Sequence, residues 1–248
     1  MCEFITLDGS TVQTEHLCCI IRKKAHPGVD TKRRWLQSRI PEGHVFRKLD
    51  DKGCCFIEYA PLEKAWVPVL GDNYLYIYCL WVDGALKGNG YATRLLEDCI
   101  NQAKAEGKSG ICMLGARKQK NWLSNQAFAM KHGFAAVDET DDSYLLLALS
   151  FDGTLPRFAP AAKAQHIDDE ALTVYYSDQC PFIPMKVAAL EEYCRTHDVP
   201  LVLHHVDTLE KAKALPCVFN NFGAFYKGKF ISVNLLETAA LEKLLKKG

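Results

Sequence analysis

The spacing of apolar side chains along the chain alternates between helical and extended rhythms. Near the N-terminus, Thr14 stands as a polar cap before EHLCCIIRKK, where Leu17, Ile20 and Ile21 share one side, and the pattern predicts a helix. A second helix is predicted over residues 30–39, with Trp35 and Leu36 facing inward. Strands are predicted over 45–49, 54–60 and 65–69. YLYIYCLWV, residues 74–82, is apolar at odd and even positions alike, so it reads as a strand covered on both faces and central in a sheet. Residues 92–106 put Ala92, Leu95, Leu96, Cys99, Ile100 and Ala103 on one helical face, with Gly107 as the expected stop. A buried strand over 111–114, a helix over 124–132 ended by Gly133, and a strand over 144–149 complete this part of the chain.

The rhythm then breaks. FDGTLPRFAPAAKAQHIDDE has Gly153, Pro156 and Pro160 and no periodic apolar pattern, as expected of a connection between folding units. The division read from this is a first domain over 1–152, a linker over 153–170 and a second domain over 171–248. The second domain alternates tidily: strand 172–177, helix 183–197, strand 200–206, short helix 209–214, a hairpin 224–226/230–233 turning at 227–229, and a helix over 235–247. The expected class is α/β throughout, a mixed-sheet domain followed by a small α/β domain.

Composition narrows the function classes. Hydrophobic residues are 48% and charged residues 24%, the proportions of an ordinary globular protein and not of a disordered chain. Thirty basic and thirty acidic side chains give zero formal net charge, which argues against nucleic acid as a partner. No apolar run approaches the ~20 residues that span a bilayer, and the start lacks the basic and apolar regions of a signal peptide. No membrane association and a cytoplasmic location are therefore expected. Eleven cysteines, none spaced C-x-x-C, with adjacent pairs at Cys18/Cys19 and Cys54/Cys55, read as small buried residues in a reducing compartment. His204-His205 has no second ligand pair in view, so no metal is expected.

Candidate chemistry begins where the central strand meets the strongest helix. Lys87-Gly88-Asn89-Gly90-Tyr91-Ala92 joins them; its glycines allow a tight turn, and the helix start behind them presents backbone amides and a positive dipole end, a setting for phosphate. The segment resembles motif A of the GNAT N-acetyltransferases, [Q/R]-x-x-G-x-[G/A], with Lys87 in the basic first position, Gly90 in the glycine position and Ala92 last. Lys131-His132-Gly133-Phe134 resembles that family's helix-to-strand hinge. EHLCCIIRKK, VFRKLDDKGCCFIEYAPLEKAW, NWLSNQAFAMKHGF and YYSDQCPF together resemble the YoaP-like acetyltransferases, in which a GNAT domain precedes a small thioredoxin-like domain.

The resemblance implies transfer of an acetyl group from acetyl-CoA, as co-substrate, directly to a primary amine on a small molecule or peptide. It implies that Lys87, Gly88, Asn89, Gly90, Tyr91, Ala92 and Thr93 hold the pyrophosphate, and that the main chain of Leu80, Trp81 and Val82 serves the pantetheine arm and the acetyl carbonyl, Leu80 N–H acting as oxyanion donor. Many GNAT enzymes place a tyrosine, the general acid, five residues before the phenylalanine of Gly-Phe. Here that position is Ala129. Ser124 is a substitute, as is Tyr144, although serine also suits a helix N-cap. For the general base, Glu58 stands on an otherwise apolar strand, where a carboxyl tends to a raised pKa; the alternative is a solvent-facing charge. Glu15 and His16 are rivals. Cys79 is either an acyl carrier or core packing. The clusters Arg22-Lys23-Lys24 and Lys32-Arg33-Arg34 read as solvated helix faces.

Cys180, in SDQCPFIP between the first strand and first helix of the second domain, sits where thioredoxins carry Cys-x-x-Cys, but Ile183 replaces the second cysteine. At a helix N-terminus its thiol is expected to tend toward thiolate. It is either a monothiol site or a buried relic. The alternative to an N-acetyltransferase is accordingly an acyl-CoA-binding thiol or redox module working through Cys180.

Overall fold

The computed structural model describes residues 3–19, 26–51, 53–141 and 143–246. In chain order its elements are β1 (Phe4–Thr6), α1 (Pro27–Arg39), β2 (Val45–Leu49), β3 (Cys55–Pro61), β4 (Val69–Leu70), β5 (Tyr74–Val82), α2 (Tyr91–Ala105), β6 (Gly110–Ala116), α3 (Gln126–Lys131), β7 (Ala135–Glu139) and β8 (Tyr144–Ser150). Beyond these come β9 (Arg157–Phe158), α4 (Pro160–Ala164), β10 (Leu172–Tyr176), α5 (Phe182–Thr196), β11 (Leu201–His205), α6 (Leu209–Lys213), β12 (Phe222–Tyr226), β13 (Lys229–Ser232) and α7 (Thr238–Leu245).

A seven-stranded sheet runs β1-β2-β3-β5-β6-β8-β7. Every neighbouring pair is antiparallel except β5 and β6. The double-sided apolar pattern of β5 has its cause here: Leu75 and Ile77 pack toward α2 with Leu95, Leu96 and Cys99, while Tyr74, Tyr76 and Tyr78 face the opposite core. A second sheet, β11-β10-β12-β13, pairs β10 with β11 in parallel and is otherwise antiparallel. Its hairpin turns at Lys227 and Gly228, both at positive φ (50° and 72°), the geometry of a tight two-residue turn.

Two irregularities of β5 create a cleft. Opposite β3, Glu58 pairs with Cys79 and Tyr59 with Ile77, so Tyr78 is an extra residue and the strand bulges. On its other side β5 pairs with β6 only from Tyr74 to Ile77, although β6 continues to Ala116 on β8. Beyond Ile77 the two parallel strands part, and the gap lies beside residues 78–82.

The C-terminal sheet packs against this frame. Val218 and Val233 share a core with Tyr74, Tyr76 and Tyr78, and Phe219, Leu215 and Val206 share another with Leu7, Leu17, Trp35 and Leu36. Lys213 Nζ donates to the carbonyls of Leu62 (2.8 Å) and Val69 (3.1 Å). At the α1–α5 contact a side chain on Gly28 would meet the Pro181 carbonyl oxygen at 1.9 Å, so only glycine permits the approach.

The structure corrects several sequence expectations. The helix expected from Glu15 is absent from its described part: Glu15–Cys19 is irregular, and residues 20–25 lie outside the described residues. Leu17 and Cys18 are buried there and Glu15 reaches Lys48 at 2.8 Å, so tertiary contacts override the local periodicity. The strand expected over 65–69 reduces to β4, because Ala65 and Val67 N–H groups bond back to Leu62 and Ala65 in tight turns. The apolar pattern does not predict β1 or β7. Residues 153–170 carry β9, which pairs with β4, and α4.

Gly28→Ala is expected to destabilise the protein by about 1–3 kcal/mol through overpacking at the α1–Pro181 contact. Denaturant midpoints of the two proteins measure this, and equal midpoints would contradict the contact.

Candidate active site

The cleft beside β5 opens into a cavity of about 690 Å³. It brings together Glu58 from β3, Leu80, Trp81 and Val82 from β5, Lys87 and Ala92 from the following turn and helix, Ser124 from the loop before α3, and Cys180 from the turn before α5. Gly88, Asn89, Gly90, Tyr91 and Thr93 stand outside the cavity lining, at the exposed end of the turn and the start of α2.

That turn is built by backbone. Gly88 (φ 83°) and Gly90 (φ 73°) both take the left-handed conformation, and a Cβ on either would meet nothing within 4 Å. Asn89 locks the turn from within, its Nδ2 donating to the carbonyls of Leu86 (3.1 Å) and Lys87 (3.4 Å). Gly90 is the N-cap of α2, which has neither a side-chain cap nor an acidic residue in its first turn. The first rung of the helix is Arg94 N–H to Gly90 carbonyl (3.1 Å), so the amides of Ala92 and Thr93 precede the intrahelical ladder. Anions suit such an end.

At the other end lies the carboxylate of Glu58, 2% exposed. Oε1 accepts from Lys32 Nζ and from His44 Nε2 (2.8 Å), and Oε2 accepts from Gln179 Nε2 (2.9 Å). Gln179 is fixed in turn by Asn221, whose Nδ2 donates to its Oε1 at 3.0 Å. Asn220 anchors the same loop to β5, donating to the Tyr78 carbonyl (3.0 Å) and accepting from the Tyr76 hydroxyl (3.1 Å). His44 stands edge-on to Trp35 at 4.9 Å.

This network overturns two expectations for Glu58. It is buried, not solvent-facing. Burial pushes its carboxyl up, but the Lys32 charge and the His44 hydrogen bond outweigh that, and its pKa lies below the ordinary value instead of above it. His44 is lowered as well: burial disfavours its charged form and outweighs the pull of Glu58, so the ring is neutral at pH 7. Lys32, expected on a solvated face, is 1% exposed; Arg22-Lys23-Lys24 lies outside the described residues.

Ser124 is not a helix cap. Asn125 caps α3 by accepting from Phe128 N–H (2.9 Å), and Ser124 Oγ accepts from Leu80 N–H at 3.0 Å. The amide expected as an oxyanion donor and the hydroxyl expected as an acid therefore hold each other at the cavity wall. Tyr144 is 1% exposed in a core beside Val233 and does not line the cavity. Glu15 is occupied by Lys48. Burial raises the Cys79 thiol, and it pushes Cys180 up to about 12, contrary to the thiolate expected at a helix N-terminus. Among the described residues there is no disulfide and no cluster fit to hold a metal ion, and no helix is long and apolar enough to cross a membrane.

Sequence reading missed Lys32, His44, Gln179, Asn220 and Asn221. The signal available for the last three was their position, polar residues between β-strand and helix or strand in a segment otherwise rich in aromatic and aliphatic side chains.

Comparison with known proteins traces the same outline. A family described as "Acetyltransferase (GNAT) family" matches residues 12–134, and one described as "YoaP-like" matches residues 200–243. The chain is 35% identical, over 99% of its own length and 98% of the other's, to a Bacillus subtilis (strain 168) protein named "Uncharacterized N-acetyltransferase YoaP". Among solved structures it is similar to the PaiA N-acetyltransferase of Thermoplasma acidophilum in complex with coenzyme A, at 15% identity, 61% of this chain, 99% of that chain and a TM-score of 0.43. It is also similar to the ribosomal-protein-S18-alanine N-acetyltransferase of Escherichia coli, at 16% identity, 62% and 97% coverage and a TM-score of 0.42.

The buried network fixes a pH dependence of stability. His44 has a folded pKa below its ordinary 6.5, so as pH falls through 6.5 the unfolded chain takes up a proton that the folded one does not, and stability falls. Glu58, also depressed, extends the loss from 4.5 downward. Below pH 6.5 the His44 contribution approaches about 1.4 kcal/mol per pH unit. His44→Gln should flatten the slope between pH 6.5 and 5.0 in chemical denaturation; an unchanged slope would contradict a buried neutral His44.

Proposed function

Because this chain belongs to the GNAT acetyltransferase family, we propose that it moves an acetyl group from acetyl-CoA to a primary amine by direct attack within the β5 cleft. The observation that carries the reading is the parting of β5 and β6 beyond Ile77, with an anion-ready glycine turn at one end of the resulting cavity and a buried carboxylate at the other.

The residues present fit the co-substrate. Open space over Gly88 and Gly90, the uncapped start of α2 and the exposed Lys87 suit a pyrophosphate. The main chain of Leu80, Trp81 and Val82 suits an extended amide-containing arm. When bound, acetyl-CoA supplies an acyl group already activated as a thioester.

Ser124 has a double part in this reading. Its hydroxyl accepts from Leu80 N–H at 3.0 Å in the free protein. Turning away, it would release that amide toward the acyl oxygen and bring its own proton to the departing sulfur. Glu58 is a weak base, because Lys32 stabilises its charge, and its task is correspondingly light: nitrogen becomes strongly acidic once bonded to the acyl carbon, and gives up its proton readily to the carboxylate directly or through water. The second domain, which we read as thioredoxin-like from its strand order β11-β10-β12-β13, forms the acceptor-side wall through Gln179, Cys180 and Asn221. The thiol alternative loses its support, since Cys180 is held protonated by burial.

Calorimetry with acetyl-CoA tests the cofactor end. Gly90→Val should abolish or severely weaken binding in a folded protein, and Lys87→Ala should flatten the salt dependence that a phosphate-facing cation creates over a Debye length of about 10 Å at 0.1 M. Unchanged affinity in the first or an unchanged slope in the second would remove that residue from the site. At the chemical end, Ser124→Ala should lower kcat by up to ~100-fold, with acetyl-CoA binding retained; an unaltered kcat would leave Ser124 a purely structural bridge.

A further inference from the structure

The charges around the cavity floor restrict which amines can be acceptors. Among the described residues that line the cavity, Glu58 is the one carboxylate, whereas Lys32, Lys87 and Lys120 are cations. The negative charge of Glu58 is already matched by Lys32, and both its oxygens hold donors, from α1, from the loop before β2 and from the turn before α5. His44 behind it is neutral, and the nearby thiols are uncharged, Cys19 raised by its hydrogen bond with Cys18 and by burial, Cys79 and Cys180 by burial. Tyr78, raised by burial, is uncharged as well. An ammonium group entering this floor loses its hydration and meets no net negative charge in exchange.

The mouth has a different character. Trp122, held at φ 67°, packs edge-on to Phe182 of α5 at 5.8 Å, and Trp81 is 37% exposed close by. Gln119, Lys120, Asn121 and Asn125 add polar groups to the lining from the first domain, and the second domain adds only uncharged ones, Gln179, Asn220 and Asn221.

From this we propose that the acceptor is a weakly basic primary amine on an uncharged, largely apolar body, with no second cation, and that it reaches Glu58 already unprotonated. The inference rests on the acetyltransferase reading and adds to it the acceptor's chemistry. In the transfer, the nitrogen lone pair forms the bond to the acyl carbon, the C–S bond breaks with its electron pair on sulfur, nitrogen loses one proton and sulfur gains one. The free lone pair is the requirement. An α-amine with a pKa near 7.7–8.0 presents it in a substantial fraction of molecules at neutral pH, and an ε-amine near 10.4 in roughly one in a thousand. Polyamines and aminoglycoside-like acceptors add further ammonium groups, for which the described lining residues hold no unmatched carboxylate.

The test uses the full-length protein and acetyl-CoA at pH 7.5, with acetylated products measured by mass spectrometry so that the protein's own thiols do not interfere. Two weakly basic sources are compared, phenylalaninamide with a short neutral peptide bearing a free N-terminus as one arm, and an aromatic hydrazide as the other. The comparison acceptors are N-α-acetyl-lysine amide and spermidine. Weakly basic amines should exceed the lysine derivative in kcat/KM on the order of 100-fold. For the lysine derivative, log kcat/KM should climb with unit slope from pH 7 to 9, while that for phenylalaninamide levels off near pH 8. Preference for peptide over hydrazide, or the reverse, identifies the source. Spermidine or the lysine derivative acetylated as well as the weak bases at pH 7.5 would overturn the inference, as would acetyl-CoA binding with transfer to none of the weakly basic amines, which leaves the acetyltransferase reading intact. Failure to bind acetyl-CoA at all would overturn both.

Discussion

A carboxylate buried to 2% exposure is the constraint around which the protein is assembled. Desolvating Glu58 costs several kcal/mol, and the cost is offset only if every lone pair finds a donor in good geometry. The three donors come from separate places: Lys32 from α1, His44 from the turn before β2, and Gln179 from a loop more than a hundred residues away in sequence. Each of the last two is itself fixed, His44 against Trp35 and Gln179 by Asn221. The position of α1 on the large sheet and the position of the second sheet on both are therefore parts of one electrostatic solution. The same solution neutralises the cavity floor, so a structural requirement sets a chemical character.

The opposite end of the cleft works on a different principle. There the useful groups are amides, and their placement depends on where strands stop pairing. The bulge at Tyr78 turns the last residues of β5 relative to β3, and the departure from β6 frees one edge of the strand. Two left-handed glycines then reverse the chain into α2 without a side chain over the turn. Side chains matter chiefly through what they do not do: no cap on α2, no acid in its first turn.

Much of this was legible because it is written in periods. β5 was readable as central from its double-sided apolar run, and α2 from one apolar stripe that the structure buries at Leu95, Leu96, Cys99 and Ala103. The glycine turn between them was legible for the same local reason. Long-range compensation was not. Lys32 looks like any member of Lys-Arg-Arg on an exposed helix until Glu58 is placed beside it, and Gln179 carries no periodic signal. The expectation of a high pKa for Glu58 was sound for a lone carboxyl on an apolar strand; it failed because the partners lay on other elements. The N-terminal segment shows the converse error, where Leu17 keeps helical spacing with Ile20 and Ile21 in the sequence, yet Leu17 and its neighbour Cys18 are buried from an irregular chain.

The sharing of cores between the two sheets bears on how the chain is made. Leu7, Trp35 and Phe46 pack with Val206, Leu215 and Phe219, and Tyr76 with Val218 and Val233. On the ribosome, the residues of the large sheet emerge first and must wait, with one apolar face uncovered and Glu58 lacking Gln179, until nearly all of the second sheet has been synthesised. During that interval the nascent protein is a sticky intermediate in which one oxygen of Glu58 lacks its buried amide donor. Translation speed through the C-terminal part of the chain, and whatever shields the growing polypeptide, therefore bear directly on its yield.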